Sequence, residues 1–384
     1  ALVYGMGEIQ VVTIARRLRD GKNISWIPGT VEIARELPEN ALVLPPEEDV
    51  VTDASAHLAF CREFVKNQHR TLAMPSGTRW IVQYPQERQT GPGLDAIYAL
   101  PFTHRPHPSY GEKKIPAFEM IRDSLNSHRG CVSGCAFCSL SLHQGRRIVR
   151  RSVESVLDEA RALAADADFS GHVRDVGGPS ANMYGTECAA DWKCARDSCT
   201  YPDLCPNLRV NTRAWLALLG AVKKIRGVKH VSVGSGIRYD LLMRDDPSCL
   251  DELLKNYVGG QLKIAPEHTS PQVLRAMRKA PLVDLEDFMK KFFSAARSAG
   301  KKLYVVPYLM SCHPGSRDAD MRAARDRVRE VFHFIPEQVQ AFIPLPLTPS
   351  SAMYWTGMDP FTGEKVFSEK DAKRRQRQHR IIFE

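Results

Sequence analysis

His128-Arg129-Gly130-Cys131-Val132-Ser133-Gly134-Cys135-Ala136-Phe137-Cys138-Ser139 carries three cysteines spaced C-x3-C-x2-C. Three thiolates on so short a loop can hold three corners of a cube-shaped iron–sulfur cluster. A fourth cysteine would close every iron. Without one, an iron keeps an open position where a ligand can bind. The competing reading is three buried or zinc-binding cysteines on a glycine-rich loop.

Around this loop the chain alternates strands and helices. The pattern predicts strands ending near Ser127 and over 172–176, 230–233, 261–265, 303–308 and 338–343. Helices are expected over 152–165, 211–225, 241–257, 271–278, 285–298 and 317–332. Six βα units of this kind imply a parallel barrel or its open relative, with chemistry at the C-terminal ends of the strands. Residues 1 to about 115 read as a separate α/β segment, with a helix over 9–18. Pro101, Pro106, Pro108 and Pro116 mark the connector.

The strand ends carry further motifs: Gly177-Gly178-Pro179-Ser180, Gly234-Ser235-Gly236-Ile237-Arg238, Lys263 with Glu267-His268, His313-Pro314-Gly315 and Thr348-Pro349-Ser350-Ser351. Gly177-Gly178 admits a close backbone approach or is an ordinary tight turn. Arg238 can grip a carboxylate bidentately or form a structural ion pair. Glu267 can accept from hydroxyls. His268 can bind substrate or donate a proton, or be structural.

Taken together, the cysteine loop with Phe137 and this ordered set of motifs resemble the radical S-adenosylmethionine (SAM) superfamily, and within it the YgiQ-type proteins. The resemblance runs from about Leu2 to the C-terminal tail. It implies an α/β fold: a partial (β/α)6 radical SAM barrel preceded by the end of a Rossmann-like α/β domain. The expected divisions are 1–116, a barrel over 117–350 with a cysteine-rich insertion at 185–208, and an extension over 351–384. The resemblance further implies a [4Fe–4S] cluster on Cys131, Cys135 and Cys138, with SAM on the open iron. Phe137 (through its backbone), Gly177, Gly178, Arg238 and Glu267 would form the SAM pocket. The acidic residue usual after the glycine pair is replaced by Pro179, so Ser180 or a carbonyl would substitute. Rossmann-like domains of this kind bind cobalamin elsewhere, but an Asp-x-His-x-x-Gly ligand motif is missing, which speaks against cobalamin. Family members extend before the point matching Ala1, so the chain is expected to be part of a longer product.

A second group, Cys188, Cys194, Cys199 and Cys205, lies in the insertion after Gly177-Gly178. Its gaps lack the paired C-x2-C knuckles of zinc ribbons. An auxiliary [4Fe–4S] cluster, a structural zinc, and free or disulfide-bonded cysteines all remain open. Cys61, Cys249 and Cys312 stand alone and are expected to be buried and inert.

Composition fits a globular protein: 384 residues, 43% hydrophobic and 25% charged. No apolar run is long enough for a membrane span. Seven of the ten cysteines are bunched in two stretches, which points to metal binding in a reducing cytoplasm rather than to disulfides. Of the net charge of +9, the stretch 370–380 carries +5. That tail is a solvated helix face or a contact for RNA phosphate. The resemblance implies reductive SAM cleavage to a 5′-deoxyadenosyl radical, which takes hydrogen from a substrate. The electron donor would be of flavodoxin or ferredoxin type. RNA fits the basic tail and a likeness of the fourth and sixth strand ends to methylthiotransferases; a small metabolite is the other substrate class. The non-catalytic alternative, supported by Pro179, is an iron–sulfur electron-transfer or structural protein.

Overall fold

The computed structural model describes residues 1–190, 194, 196–282 and 284–384. Six strands follow one another side by side, all parallel. The first is Ser124–Asn126; the second runs as His172–Val173 and Asp175–Gly177; the third is His230–Val231. The fourth is Gln261–Glu267, the fifth Tyr304–Ser311 and the sixth Gln340–Ala341. Val176 pairs with Leu125, Val231 with Val173, Ile237 bridges Ile264, Leu262 pairs with Val305, and Ser311 with Ala341. Among the described residues no pairing closes the sixth strand onto the first. Sequential parallel order requires a helical crossover after each strand, which is what the alternating pattern predicts. The result is the open (β/α)6 barrel expected from the sequence.

The crossover helices show why they form. In Leu285–Ser298, the residues Leu285, Phe288, Met289, Phe292, Ala295 and Ala296 recur at helical spacing and are buried, while Lys290, Lys291 and Arg297 face water. Asn211 caps Thr212–Lys223 by accepting from Ala214 N, and Ser152 caps Val153–Ala165 through Ser155 N. Trp215, fully buried, donates its indole N–H to Val176 O at 3.1 Å. It thereby bolts one helix to the second strand, directly before Gly177. The single helix expected over 241–257 is two, Tyr239–Asp245 and Cys249–Tyr257. Pro247 lies between them; it lacks the N–H that a continuous helix needs.

The N-terminal segment forms a five-stranded sheet ordered Leu2–Val3, Thr30–Ala34, Arg79–Gln83, Leu72–Ser76, Leu42–Val43. Only its last pairing is parallel. That is more antiparallel than a Rossmann-like end implies, because a tight turn with Gly77 at φ 55° folds 72–83 into a hairpin. The segment meets the barrel through Arg129 and Glu8 at 2.8 Å and through Ser152 N, which donates to Asp95 at 3.0 Å.

The C-terminal extension is part of the barrel wall. Ile381 and Ile382 are buried in the main core, and Gln378 donates to Ser316 O at 3.0 Å. Arg375 reaches Phe342 O and Cys312 O. Lys373, Arg374, Arg377 and Arg380 remain at the surface. Cys61, Cys249 and Cys312 are buried, as expected. Among the described residues no helix is long and apolar enough to cross a membrane.

Trp215 supplies a test of the wall behind the second strand. Trp215→Ala is expected to cost about 3–5 kcal/mol and Trp215→Phe, which loses mainly the hydrogen bond, about 1–2 kcal/mol. Urea denaturation of the two variants measures both; equal losses would contradict the role given to the indole N–H.

Candidate functional site

The cysteine loop follows the first strand and is clamped from four sides by backbone bonds. Cys131 N donates to Gly145 O at 3.1 Å, and Ala136 N to Met277 O at 2.8 Å. Ala136 O accepts from Ser350 N at 3.0 Å, and Val132 O from Cys199 N at 2.9 Å. Gly130 (φ 95°) and Gly134 (φ 60°) make the turns. A Cβ on Gly134 would lie 2.3 Å from Asp197 O, so only glycine lets the insertion pack here. Phe137 packs into the small apolar cluster of Val273, Leu274 and Met277 and meets His313 edge-on at 6.0 Å.

Arg238, at the end of the third strand, lies under this loop. Its guanidinium is buried, with Nε donating to Asp240 at 2.7 Å and Nη2 to the other carboxylate oxygen, while Nη1 reaches Ser133 Oγ. Its fork is thus turned to Asp240 and Ser133. Burial works against the charge, but Asp240 overrides it and raises the Arg238 pKa. Burial opposes the Asp240 carboxylate too, yet Arg238 holds its pKa below the ordinary range. The Arg238 backbone is locked reciprocally by Asn182: Arg238 N donates to Oδ1 at 2.8 Å, and Nδ2 donates to Arg238 O at 2.9 Å. The loops after the second and third strands are therefore one unit.

The glycine pair is tightly packed against protein. A Cβ on Gly177 would meet Ser235 Oγ at 2.5 Å, and one on Gly178 would meet His128 Nε2 at 2.6 Å. Gly177 O accepts from Ser127 N at 2.7 Å. Asp175 accepts from Gly234 N at 2.9 Å and from Ser235 N and Oγ at 3.1 Å, which fixes the Gly234-Ser235-Gly236 turn beside it. Glu267 ends the fourth strand at φ 66°, where the ladder with the fifth strand becomes irregular. Lys279, itself nearly buried, lies 3.5 Å from its carboxylate. His268 Nδ1 accepts from Ser270 N at 3.0 Å, and His313 Nε2 pairs with Ser350 Oγ at 2.7 Å.

The three thiols, Lys279, Arg238 and Glu267 lie within electrostatic reach of one another. Burial raises the Cys135 pKa; Lys279 and Arg238 pull it down, and Cys131 and Glu267 push it up. Cys138 is pushed up to about 12, mainly by burial. This donor set fits a [4Fe–4S] cluster: three soft thiols on one clamped loop, with two buried cations to offset thiolate charge. Among the described residues no three His, Cys, Asp or Glu side chains converge as a single metal ion would need; a cube holds its thiolates farther apart. Cys135 and Cys138 face a small opening of about 20 Å³. Leu142, Arg146 and Gln68 line both it and a neighbouring cavity of about 1640 Å³ between the N-terminal segment and the barrel. Lys279, Ser133 and Asp240 were not singled out from sequence; a buried lysine leaves no local signature, and the Arg238–Ser133 contact spans the chain.

Comparison with known proteins adds a family. The model of the radical SAM N-terminal family matches residues 1–124. A UPF0313 protein of Methanosarcina acetivorans is 40% identical over 99% of this chain and 56% of its own length. One from Methanocella arvoryzae is 40% identical over 100% of this chain and 65% of its own. One from Fusobacterium nucleatum is 36% identical over 100% of this chain and 70% of its own. The chain therefore spans between 56% and 70% of the length of these relatives. Among solved structures, the radical SAM methyltransferase TsrM from Kitasatospora setae, with cobalamin and a [4Fe–4S] cluster bound, aligns at TM-score 0.49 and 13% identity. That alignment covers 91% of this chain and 54% of TsrM. Coproporphyrinogen III oxidase (HemN) from Escherichia coli aligns at TM-score 0.40 and 16% identity, over 68% and 51%.

Three buried imidazoles give the site a pH signature. Burial lowers His128 and His268 to about 4 and His313 still further; Asp320 opposes the shift at His268, and His268 adds to it at His313. The neutral forms are the folded ones, so their stability is complete above the unfolded value near 6.5 and is lost as pH falls toward 4. The expected slope is up to about 4 kcal/mol per pH unit for the three together. Urea midpoints measured from pH 7 to 4.5 should fall steeply; a flat profile would contradict the buried neutral state.

Proposed function

The chain is a radical SAM superfamily protein that belongs to the UPF0313 family, and from that premise we propose that it is an enzyme cleaving SAM reductively. The observation that carries this reading is the clamped loop of Cys131, Cys135 and Cys138. Three thiols are offered there, and no fourth cysteine of the loop closes the set. When bound, a [4Fe–4S] cluster supplies the electron that splits SAM to methionine and a 5′-deoxyadenosyl radical, which takes a hydrogen atom from substrate.

The chain's own residues hold and shield that chemistry. Cys131, Cys135 and Cys138 ligate the cluster. Arg238 positions the loop through Ser133, and Lys279 offsets charge beside Cys135. Glu267, at the end of the fourth strand, would accept from ribose hydroxyls. Gly178-Pro179-Ser180, half-buried, would offer only backbone and a hydroxyl to the SAM amino group. The adjoining cavity would admit substrate past Arg146, Arg147 and Arg150; Glu187 pairs with Arg150 at 2.7 Å and Asp197 lies 3.6 Å from Arg146, which leaves Arg147 to meet an anionic group. RNA and an acidic metabolite both meet that description. Salt-sensitive co-purification of RNA separates them. A flavodoxin- or ferredoxin-type protein is the proposed donor.

The test is anaerobic reconstitution with iron and sulfide, addition of SAM and dithionite, and assay of 5′-deoxyadenosine by mass spectrometry. The wild-type chain is expected to form it, and Cys135→Ala to fall to background. A loaded cluster that binds no SAM would instead favour an electron-transfer protein.

A further inference from the structure

The insertion after the second strand folds its four cysteines into one knot against the first loop. Glu187–Cys188 pairs antiparallel with Leu208–Arg209, setting Cys188 opposite Leu208. Leu208 N donates to Cys205 O at 3.0 Å, and Cys205 N to Cys199 O at 2.8 Å. Cys199 N in turn donates to Val132 O, next to Cys131. Cys194 lines the large cavity together with Cys188 and Cys199. Cys205 is buried, and it shares an apolar cluster with Cys199, Val132 and Cys131. None of the four is in a disulfide.

We propose that Cys188, Cys194, Cys199 and Cys205 ligate a second [4Fe–4S] cluster, closed by cysteine at all four irons and set beside the first. Disulfides fit poorly, since the insertion is joined to the first loop by the backbone bond from Cys199 N to Val132 O and shares the reducing conditions that loop needs. A zinc site is disfavoured on two counts. The gaps of five, four and five residues lack a C-x2-C knuckle. Among the described residues, the four thiols do not converge on one ion, and neither do Cys131, Cys135 and Cys138. Arg146 and Arg196 line the large cavity together with Cys188, Cys194 and Cys199, with Arg146 also 3.6 Å from Asp197. Four cysteines leave no open iron, so this cluster carries electrons or braces the insertion; it does not bind substrate.

Metal and sulfide analysis with Mössbauer spectroscopy on the full chain, reconstituted anaerobically, tests the assignment. Wild type should hold about eight irons, and the Cys131→Ala/Cys135→Ala/Cys138→Ala variant about four in a [4Fe–4S] signal. That variant reports the second site even if the first behaves otherwise than proposed. The Cys188→Ala/Cys194→Ala variant, which spares the buried Cys205, should also hold about four. Zinc at the insertion, iron unchanged in the Cys188/Cys194 variant, or a folded triple variant without iron would each overturn the proposal.

Discussion

One buried cation organises this protein's functional end. Arg238 is only 6% exposed, so its charge must be met inside the fold, and Asp240 meets it with both carboxylate oxygens. Breaking such a pair by removing one partner generally costs about 3–5 kcal/mol, because a lone charge stays buried. The guanidinium's remaining direction is spent on Ser133, midway between Cys131 and Cys135. Its backbone is spent on Asn182, in the loop after the glycine pair. The cysteine loop, the second strand end and the third strand end are therefore held by one residue. A loop that is to present three thiols in fixed directions needs this kind of support from its surroundings.

The parallel strand order explains why so much chemistry meets in one place. Every strand of an open (β/α)6 barrel ends on the same face, so motifs separated by tens of residues become neighbours. The cysteine loop is stapled to Met277 after the fourth strand and to Ser350 after the sixth, and His313 after the fifth holds Ser350 in turn. The insertion meets the cysteine loop through Cys199 N, which donates to Val132 O at 2.9 Å. Its docking depends on Gly134, where no side chain could coexist with Asp197.

Much of this was legible in the chain itself. The C-x3-C-x2-C spacing marked the loop, and the period of Leu285, Phe288, Met289 and Phe292 marked a crossover helix before any contact was known. The strand ends were readable because glycine, proline and histidine cluster there. The partners were not readable. Gly177 and Gly178 read equally well as ligand-facing or as a plain turn; the structure shows what abuts them, Ser235 and His128. Arg238 offered two equal readings until Asp240 and Ser133 stood beside it. Lys279 has no local pattern that announces burial. The tail at 370–380 read as a solvated helix face or an RNA contact; Ala372–Arg380 is a helix with exposed cations, and what charge alone did not announce is that Ile381 and Ile382 just beyond it anchor that helix in the core. Local spacing encodes elements; pairing across the barrel is a tertiary fact.

The central claim is that Cys131, Cys135 and Cys138 leave one iron open to SAM. Electron–nuclear double resonance on the reduced, reconstituted protein, with SAM labelled by ¹⁵N at its amino group and ¹³C at its carboxylate, addresses it directly. The account predicts hyperfine coupling from both labels to the cluster, lost when Cys138 is replaced. A spectrum unchanged by labelled SAM at saturating concentration would contradict it.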